Sequence, residues 1–309
     1  MRGPRASAGG PADDGADSKG AADSRPPSSR SRRGPALAGV VIAVALLGGA
    51  AALAGLRALV KSAPSSQAGQ AGAFTPPAPA DIPDGAMVRV SGGTFRMGST
   101  QGDPDEKPLV EVSVPTFEID TTEVTVTAFG RCVSAGKCAV PDTGMYCNWS
   151  KDERARHPVN CVDVNQATDY CAFVGKRLPT EEEWEYAATG GDGRTYPWSD
   201  DAGPGAQLCW NGEGTDVGKG QRQGTCPVAS YPAGRAPSGA FDMAGNVWEW
   251  TASAHCPYDQ RGCSATRRVV RGGAWNNVLP RYLRAQDRAE EMAVSRPDNV
   301  GFRCVRNPS

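Results

Sequence analysis

Ten cysteines, all in the later part of the chain, constrain the fold more than any other feature of the sequence. None precedes Cys132, and no two stand in a Cys-x-x-Cys arrangement, the spacing of zinc ribbons and thioredoxin-like redox motifs. An even number of cysteines without metal-ligand spacing predicts a framework of disulfides, provided that the domain folds in an oxidising compartment. With only two histidines, His157 and His255, the chain also lacks the residues for a metal site of three imidazoles.

An uncharged apolar run covers residues 35–56, which is long enough to cross the hydrocarbon core of a bilayer as a helix. Three arginines lie just before it, within residues 30–33, whereas Arg57 and Lys61 follow it. This bias predicts that the N-terminus stays in the cytoplasm. A cleaved signal peptide is the alternative, and two adjacent arginines would suit a twin-arginine signal. However, the run is longer than a usual signal core, and no small-x-small cleavage site follows at once.

We therefore predict an uncleaved signal anchor that carries the cysteine-containing domain outside the cytoplasm. The abundance of Ala, Gly, Arg and Pro is typical of a bacterium with a GC-rich genome. The expected location is the bacterial inner membrane, with one N-terminal span and a periplasmic C-terminal domain. An oxidising periplasm agrees with the disulfide prediction.

Composition divides the rest of the chain into three parts. Residues 1–34 have hardly an apolar side chain larger than alanine and are predicted to be a disordered cytoplasmic tail. Residues 57–85 form a stalk rich in Pro, Ala and Gly, and the folded domain is expected over 86–306. Residues 1–61 hold nine basic and four acidic side chains of the 33 and 34 in the whole chain, so 62–309 carries a net charge of −6. This acidic balance, without a Lys/Arg run, argues against binding to nucleic acid.

Hydrophobic periodicity predicts short strands near the start of the folded domain and three helices in its first half. The helices are expected from near Thr125 to Gly136, from about Asn165 to Gly175, and from Thr180 to Gly190. Beyond Gly191 the sequence predicts only short strands and turns. The expected class is α+β, with little regular secondary structure.

The third helix has the clearest local signal, because Thr180 and Glu183 form a capping box. Its first turns are acidic, which could suit general acid–base chemistry. Since a helix dipole favours negative charge at the N-terminus, we instead expect these glutamates to be solvated. They are Glu181, Glu182, Glu183 and Glu185.

Seven sequence blocks occur in a specific order along the folded domain. They are VSGGTFRMGS (90–99), HPVNCVDV (157–164), GKRLPTEEEWEYAATGG (175–191), YPW (196–198), GAFDMAGNVWEWT (239–251), RVVRGGAW (268–275) and NVGFRC (299–304). Together they resemble the sulfatase-modifying factor family, whose founding member is the formylglycine-generating enzyme. The resemblance covers about residues 86–306. It implies an irregular, disulfide-stapled α+β fold related to C-type lectins.

The oxidases of this family carry two cysteines, five residues apart, shortly after the GG-[SA]-[WY] block, and these bind copper(I) to activate oxygen. The resemblance places Asn277 and Tyr282 at those positions, with Ala274 where a serine often stands. An amide and a phenol are weak ligands for a soft Cu(I) ion. Copper is therefore not expected, and no catalytic residue is assigned.

The resemblance also implies a calcium site in the block GAFDMAGNVWEWT (239–251). Two carboxylates and two backbone positions would supply oxygen donors for a hard cation. These positions are Asp242, Gly245, Val247 and Glu249.

The resemblance implies one long-range disulfide, between Cys171 and Cys304. The other eight cysteines are consistent with pairs between neighbours in sequence, although spacing alone does not establish pairing. These pairs are Cys132–Cys138, Cys147–Cys161, Cys209–Cys226 and Cys256–Cys263. No thiol is then plainly left for catalysis.

These observations favour a pseudoenzyme: a membrane-anchored binding or assembly module that holds a peptide, glycan or partner protein in the former substrate groove. Two alternatives remain, a formylglycine-generating oxidase with displaced cysteines and a periplasmic tailoring enzyme of different chemistry on the same scaffold. The groove is expected to be lined by side chains suited to stacking and hydrogen bonding. They are Trp275, Asn276, Asn277, Tyr282, Arg284 and Arg288.

Overall fold

The structure is a computed structural model that describes residues 82–200, 203–212, 224–260 and 262–308. The predicted tail (1–34), the predicted span (35–56) and most of the predicted stalk (57–85) lie outside the described residues. Within the described ranges, no helix combines the length and the apolar character that a membrane span requires.

Short elements make up the described part of the domain, in agreement with the predicted α+β class. In chain order they are β1 (Met87–Val90), β2 (Gly93–Met97), β3 (Val110–Val114), β4 (Phe117–Asp120), α1 (Val126–Ser134), α2 (Val164–Phe173), α3 (Glu181–Thr189), β5 (Trp248–Ala254), β6 (Arg267–Arg271), β7 (Arg288–Met292), β8 (Val300–Gly301) and β9 (Val305–Arg306). The described residues after α3 contain only short 3₁₀ turns besides strands, as the sequence predicted.

Local capping explains where the three helices begin. The Thr125 hydroxyl accepts a hydrogen bond from the amide of Ala128 at the start of α1. Asp163 caps α2, and Thr180 forms the predicted capping box with Glu183 at the start of α3. Each cap satisfies amide groups that the first helical turn leaves without a partner. The helix starts are therefore encoded by residues close together in sequence.

The strands form three small sheets, in the orders β1-β4-β9, β2-β3 and β7-β6-β5-β8. All strand pairs are antiparallel except the pair of β5 and β8. Strand β9, close to the C-terminus, pairs with β4 in the same sheet as β1, the first strand of the domain. The two ends of the described domain are thus joined through β4.

Tryptophans occupy the centres of the core. Trp184 packs in one buried cluster with residues of β2 to β4, whereas Trp250 and Trp275 pack in another with Phe302. None of these three indole rings is exposed to solvent. Aromatic side chains of this size dominate burial energetics, so they hold the short elements together in place of long helices or large sheets.

All ten cysteines form disulfides, and none is free. The predicted long-range pair is present and ties α2 to the residue before β9. The four local pairs are also as predicted: Cys132–Cys138, Cys147–Cys161, Cys209–Cys226 and Cys256–Cys263.

Candidate functional site

A cavity of about 220 Å³ opens where the sequence predicted a ligand groove. Three of the six predicted groove residues line it, namely Asn277, Tyr282 and Arg288. Trp248 and Val300 contribute an apolar part of the wall. We call it the acidic cavity, because five carboxylates line it: Asp103, Asp105, Asp287, Glu290 and Glu291.

The other three predicted groove residues lie elsewhere. Trp275 is fully buried in the core, and its indole nitrogen has no hydrogen-bond partner among the described residues. The side-chain oxygen of Asn276 accepts a hydrogen bond from Asn299 at 3.2 Å. Arg284 lines a second cavity, of about 570 Å³, together with Arg281. Folding therefore brings Asn277, Tyr282 and Arg288 together at the acidic cavity. The other predicted groove residues, Trp275, Asn276 and Arg284, do not line it.

Asn277 and Tyr282, which the resemblance places at the positions of the family's copper ligands, both have partners within the protein. The side-chain oxygen of Asn277 accepts a hydrogen bond from the amide of Ala274 at 2.5 Å, and its carbonyl accepts one from the Trp210 indole at 2.7 Å. The Tyr282 hydroxyl contacts the Arg281 guanidinium at 2.9 Å, and that guanidinium lies 4.8 Å from the tyrosine ring centroid. Asn277 thus closes a turn, and neither residue supplies a thiolate.

The prediction that the glutamates of α3 are solvated is wrong for three of the four. Glu181, Glu183 and Glu185 are buried, and each binds an arginine. These pairs are Glu181–Arg288, Glu183–Arg177 and Glu185–Arg271. The prediction failed because it considered only the dipole of the helix. Two of the three arginines come from β6 and β7, which follow much later in the chain.

Arg288, a predicted ligand-binding residue, has its donors occupied. It binds Glu181 through two hydrogen bonds of 2.8 and 2.7 Å. Its remaining terminal nitrogen donates to the carbonyls of Asp105 and Cys256. Its guanidinium also lies 4.3 Å from the ring centroid of Tyr258. Because Glu181 neutralises Arg288, the charge of the cavity wall is dominated by the carboxylates.

Asp287 is the most unusual of these carboxylates, and sequence reasoning missed it. Its side chain is almost wholly buried, and Oδ2 has no hydrogen-bond partner in the described part of the chain. Burial, followed by the nearby carboxylate of Glu106, raises its pKa to about 7. Carboxylate oxygens of Asp103, Glu106 and Asp287 lie within 4.8 Å of one another. The only sequence signal was the position of Asp287 between two predicted groove residues, Arg284 and Arg288.

The predicted calcium set lies in a different part of the domain, around the start of β5. Both carboxylates of the set are buried. Glu249 binds Arg303 through two hydrogen bonds of 2.7 Å and accepts a third from the Trp184 indole. Asp242 Oδ2 accepts a hydrogen bond of 2.6 Å from the amide of Ala229. Glu249 is therefore neutralised by a guanidinium, whereas Asp242 Oδ2 is held by a neutral backbone amide.

A further buried carboxylate, Glu123, stands beside this set and was not predicted. Its Oε1 accepts a hydrogen bond from Asn246 at 2.9 Å, and Oε2 has no partner among the residues described. Burial and the neighbouring Asp242 raise the pKa of Glu123 well above its ordinary value, and burial raises that of Asp242 to about 6. Three carboxylates thus share the single guanidinium of Arg303. Carboxylate oxygens are ligands that a hard cation binds, but those of Glu249 are already paired with Arg303. Calcium at this site stays a prediction.

In the described part of the chain, three small sheets, three short helices and five disulfides around an aromatic core form an irregular domain of the formylglycine-generating-enzyme type. The chain belongs to the sulfatase-modifying factor family: its residues 73–308 match the family described as "Sulfatase-modifying factor enzyme 1-like domain".

A relative named as a formylglycine-generating enzyme and one named as inactive have nearly the same sequence identity to this chain. It is 33% identical to the inactive C-alpha-formylglycine-generating enzyme 2 of Bos taurus, over 71% of this chain and 87% of that protein. It is 34% identical to the formylglycine-generating enzyme of Streptomyces coelicolor, over 72% and 89%. Overall identity therefore does not distinguish the two.

A solved structure supports the assignment of the fold. PvdO from Pseudomonas aeruginosa is similar with a TM-score of 0.58 and 27% identity, and the match covers 72% of this chain and 94% of that one.

Proposed function

We propose that this protein is a membrane-anchored, extracytoplasmic member of its family that lacks formylglycine-generating activity and acts as a binding or assembly module. The observation that carries the proposal is the state of its cysteines: all ten are in disulfides, and Asn277 and Tyr282 occupy the family's copper positions. Copper(I) is held by soft thiolates, and neither a disulfide nor an amide or phenol replaces them. The family's route to oxygen activation therefore lacks its metal ligands.

The cavity supports the binding part of the proposal. Trp248 and Tyr282 offer aromatic surface for stacking, while the carboxylates beside them offer hydrogen-bond acceptors. Aromatic surface beside several hydrogen-bonding groups suits a polar ligand. The proposed ligand is a peptide, a glycan or a segment of a partner protein.

Two features support the proposed location. The uncharged run at 35–56 has the length of a membrane span, and five disulfides suit an oxidising compartment. We propose a single N-terminal anchor with the disulfide-bonded domain in the periplasm. A calcium ion at Asp242, Gly245, Val247 and Glu249 remains part of this proposal.

The test combines a thiol count with an activity assay on the full chain, purified in detergent from an oxidising host. Alkylation before reduction is expected to modify no cysteine, and alkylation after reduction to modify all ten. In the same preparation, a cysteine peptide incubated with copper and oxygen is expected to yield no formylglycine, as read by mass spectrometry. The Streptomyces coelicolor enzyme with its own substrate peptide serves as the positive control. Formylglycine production by this chain, or two thiols that react before reduction, would contradict the proposal and support the alternative of a formylglycine-generating oxidase.

A further inference from the structure

We propose that Asp103, Glu106 and Asp287 bind a hard divalent cation such as Ca²⁺, at the wall of the acidic cavity. The three residues each place a carboxylate oxygen within 4.8 Å of the other two. A hard cation binds oxygen at 2.3–2.6 Å, so two oxygens on opposite sides of one ion are about 5 Å apart. All three oxygens can therefore contact the same ion.

The buried carboxylate of Asp287 is the independent observation that points to a ligand. Its side chain is 3% exposed, and Oδ2 has no hydrogen-bond partner among the described residues. The backbone of Asp287 is held in place, because its carbonyl accepts a hydrogen bond of 2.7 Å from Arg271. A carboxylate that loses its hydration without gaining a partner is costly. A bound cation would provide the missing partner.

The charges of the cluster match a divalent ion. Glu106 is fully buried and is neutralised by Arg284, through contacts of 2.9 and 2.6 Å. Its oxygens keep further lone pairs for a metal, since each carboxylate oxygen can accept more than once. Asp103 and Asp287, once ionised, then contribute two negative charges. Arg281 approaches Asp103 only at 3.8 Å, with about half of each side chain exposed, and such a pair contributes little.

A glycine makes room for the Glu106 carboxylate. A Cβ atom on Gly102 would lie 1.7 Å from Glu106 Oε2, so a side chain at this position would displace the carboxylate. The Glu106 side chain also accepts a hydrogen bond of 3.0 Å from the amide of Asp103. This bond holds the Glu106 carboxylate close to Asp103.

The position of the cluster relates the cation to the cavities. Asp103 lines both the acidic cavity and the larger cavity beside it, and Asp287 lines the acidic cavity. Calcium takes six to eight oxygen ligands, so three carboxylates leave positions for water or for an oxygen donor that enters the cavity. This site is separate from the predicted set that contains Asp242 and Glu249, and it does not depend on the proposed function.

Calcium titration of the full chain tests this proposal. The protein in detergent is stripped with EDTA, and CaCl₂ is added in a calorimeter to wild type, Asp287→Asn, Asp103→Asn and Asp105→Asn. Both cluster variants are expected to lose one equivalent of bound calcium or to weaken its Kd at least tenfold. Asp105→Asn is the matched control, because it lines the same cavity outside the cluster, and it is expected to bind as wild type does.

Two further measurements distinguish loss of this cation site from loss of a different site and from unfolding. Asp242→Asn separates this site from the predicted calcium set and is expected to leave the equivalent bound at Asp287 in place. Melting temperatures in EDTA show whether each variant is folded, and Asp103 is included because its side chain is only partly buried. The proposal is overturned if wild type binds no calcium at millimolar concentration. It is also overturned if both cluster variants bind as wild type does.

Discussion

The guanidinium of Arg303 binds the carboxylate of Glu249 through two hydrogen bonds of 2.7 Å, and neither side chain is exposed to solvent. Arg303 also donates to the carbonyls of Asp120 and Phe241. One side chain thus joins the C-terminal segment to β4, to β5 and to the turn before β5. The same contact neutralises one of the two carboxylates of the predicted calcium set.

Replacing Arg303 by leucine is expected to lower the free energy of unfolding by about 3–5 kcal/mol, because Glu249 would remain buried without its partner. Arg306→Leu is the matched control, since Arg306 binds Glu118 at the surface with half of its side chain exposed. The control is expected to cost less than about 1 kcal/mol. Urea unfolding followed by tryptophan fluorescence measures both. Equal losses in the two variants would show that burial does not set the contribution of this pair.

The disulfides are expected to stabilise the domain unequally. Cys171 and Cys304 are 133 residues apart, whereas Cys132 and Cys138 are six apart. In the chain-entropy model the longer loop corresponds to about 5 kcal/mol and the shorter to about 2 kcal/mol. Replacing each pair by alanines and comparing guanidinium unfolding curves tests this. If the two double variants unfold at the same midpoint, the loop-entropy account fails for this protein.

Acid is expected to destabilise the domain through His157. Its Nδ1 lies 2.8 Å from the Thr225 hydroxyl and 3.2 Å from the Arg154 guanidinium, and burial lowers its pKa to about 4. Because the unfolded histidine takes up its proton near pH 6.5 and the folded one near pH 4, stability falls as the pH drops between these values. The expected loss from pH 7 to pH 5 is about 1–2 kcal/mol.

The variant His157→Gln isolates this effect from other titrating groups. The folded-state pKa values of Asp242 and Asp287 are raised, so these groups contribute stability that grows as the pH falls. Their contribution is common to both proteins and cancels in the difference. Unfolding free energies at pH 7 and pH 5 are therefore compared between wild type and variant. An unchanged pH dependence in the variant would contradict the role of His157.

A rise in pH is expected to destabilise the domain through Glu123. Burial raises the pKa of this carboxyl above its ordinary value, so its protonated form stabilises the fold and this stability is lost as the pH rises through the folded pKa. Glu123→Gln keeps the shape without the charge and is expected to be more stable than wild type at pH 8.5 by about 1 kcal/mol in EDTA. Glu118→Gln, at the surface, is the control and is expected to change little. Thermal unfolding at pH 6 and pH 8.5 measures the difference, and a less stable Glu123→Gln at pH 8.5 would refute the prediction.

Local signals in the sequence predicted much of the backbone. The three helices begin directly after the capping residues Thr125, Asp163 and Thr180, and a cap involves atoms within three or four residues of one another. The ordered family blocks predicted the fold and the disulfide between Cys171 and Cys304 for a different reason. They carry the resemblance to a family with a known fold, which no single segment of this chain could reveal.

The candidate site depended on contacts that no local pattern describes. Glu181 meets Arg288 across 107 positions of the chain, and Asp287 meets Glu106 only after folding. Burial and ion pairing depend on which side chains the folded chain brings together, so periodicity and spacing could not predict them. By itself the sequence determined the helix starts, the family and the missing copper cysteines. Only the tertiary structure decided that three glutamates of α3 are buried against arginines and that the cavity is lined by Asp287, whose Oδ2 has no hydrogen-bond partner in the described part of the chain.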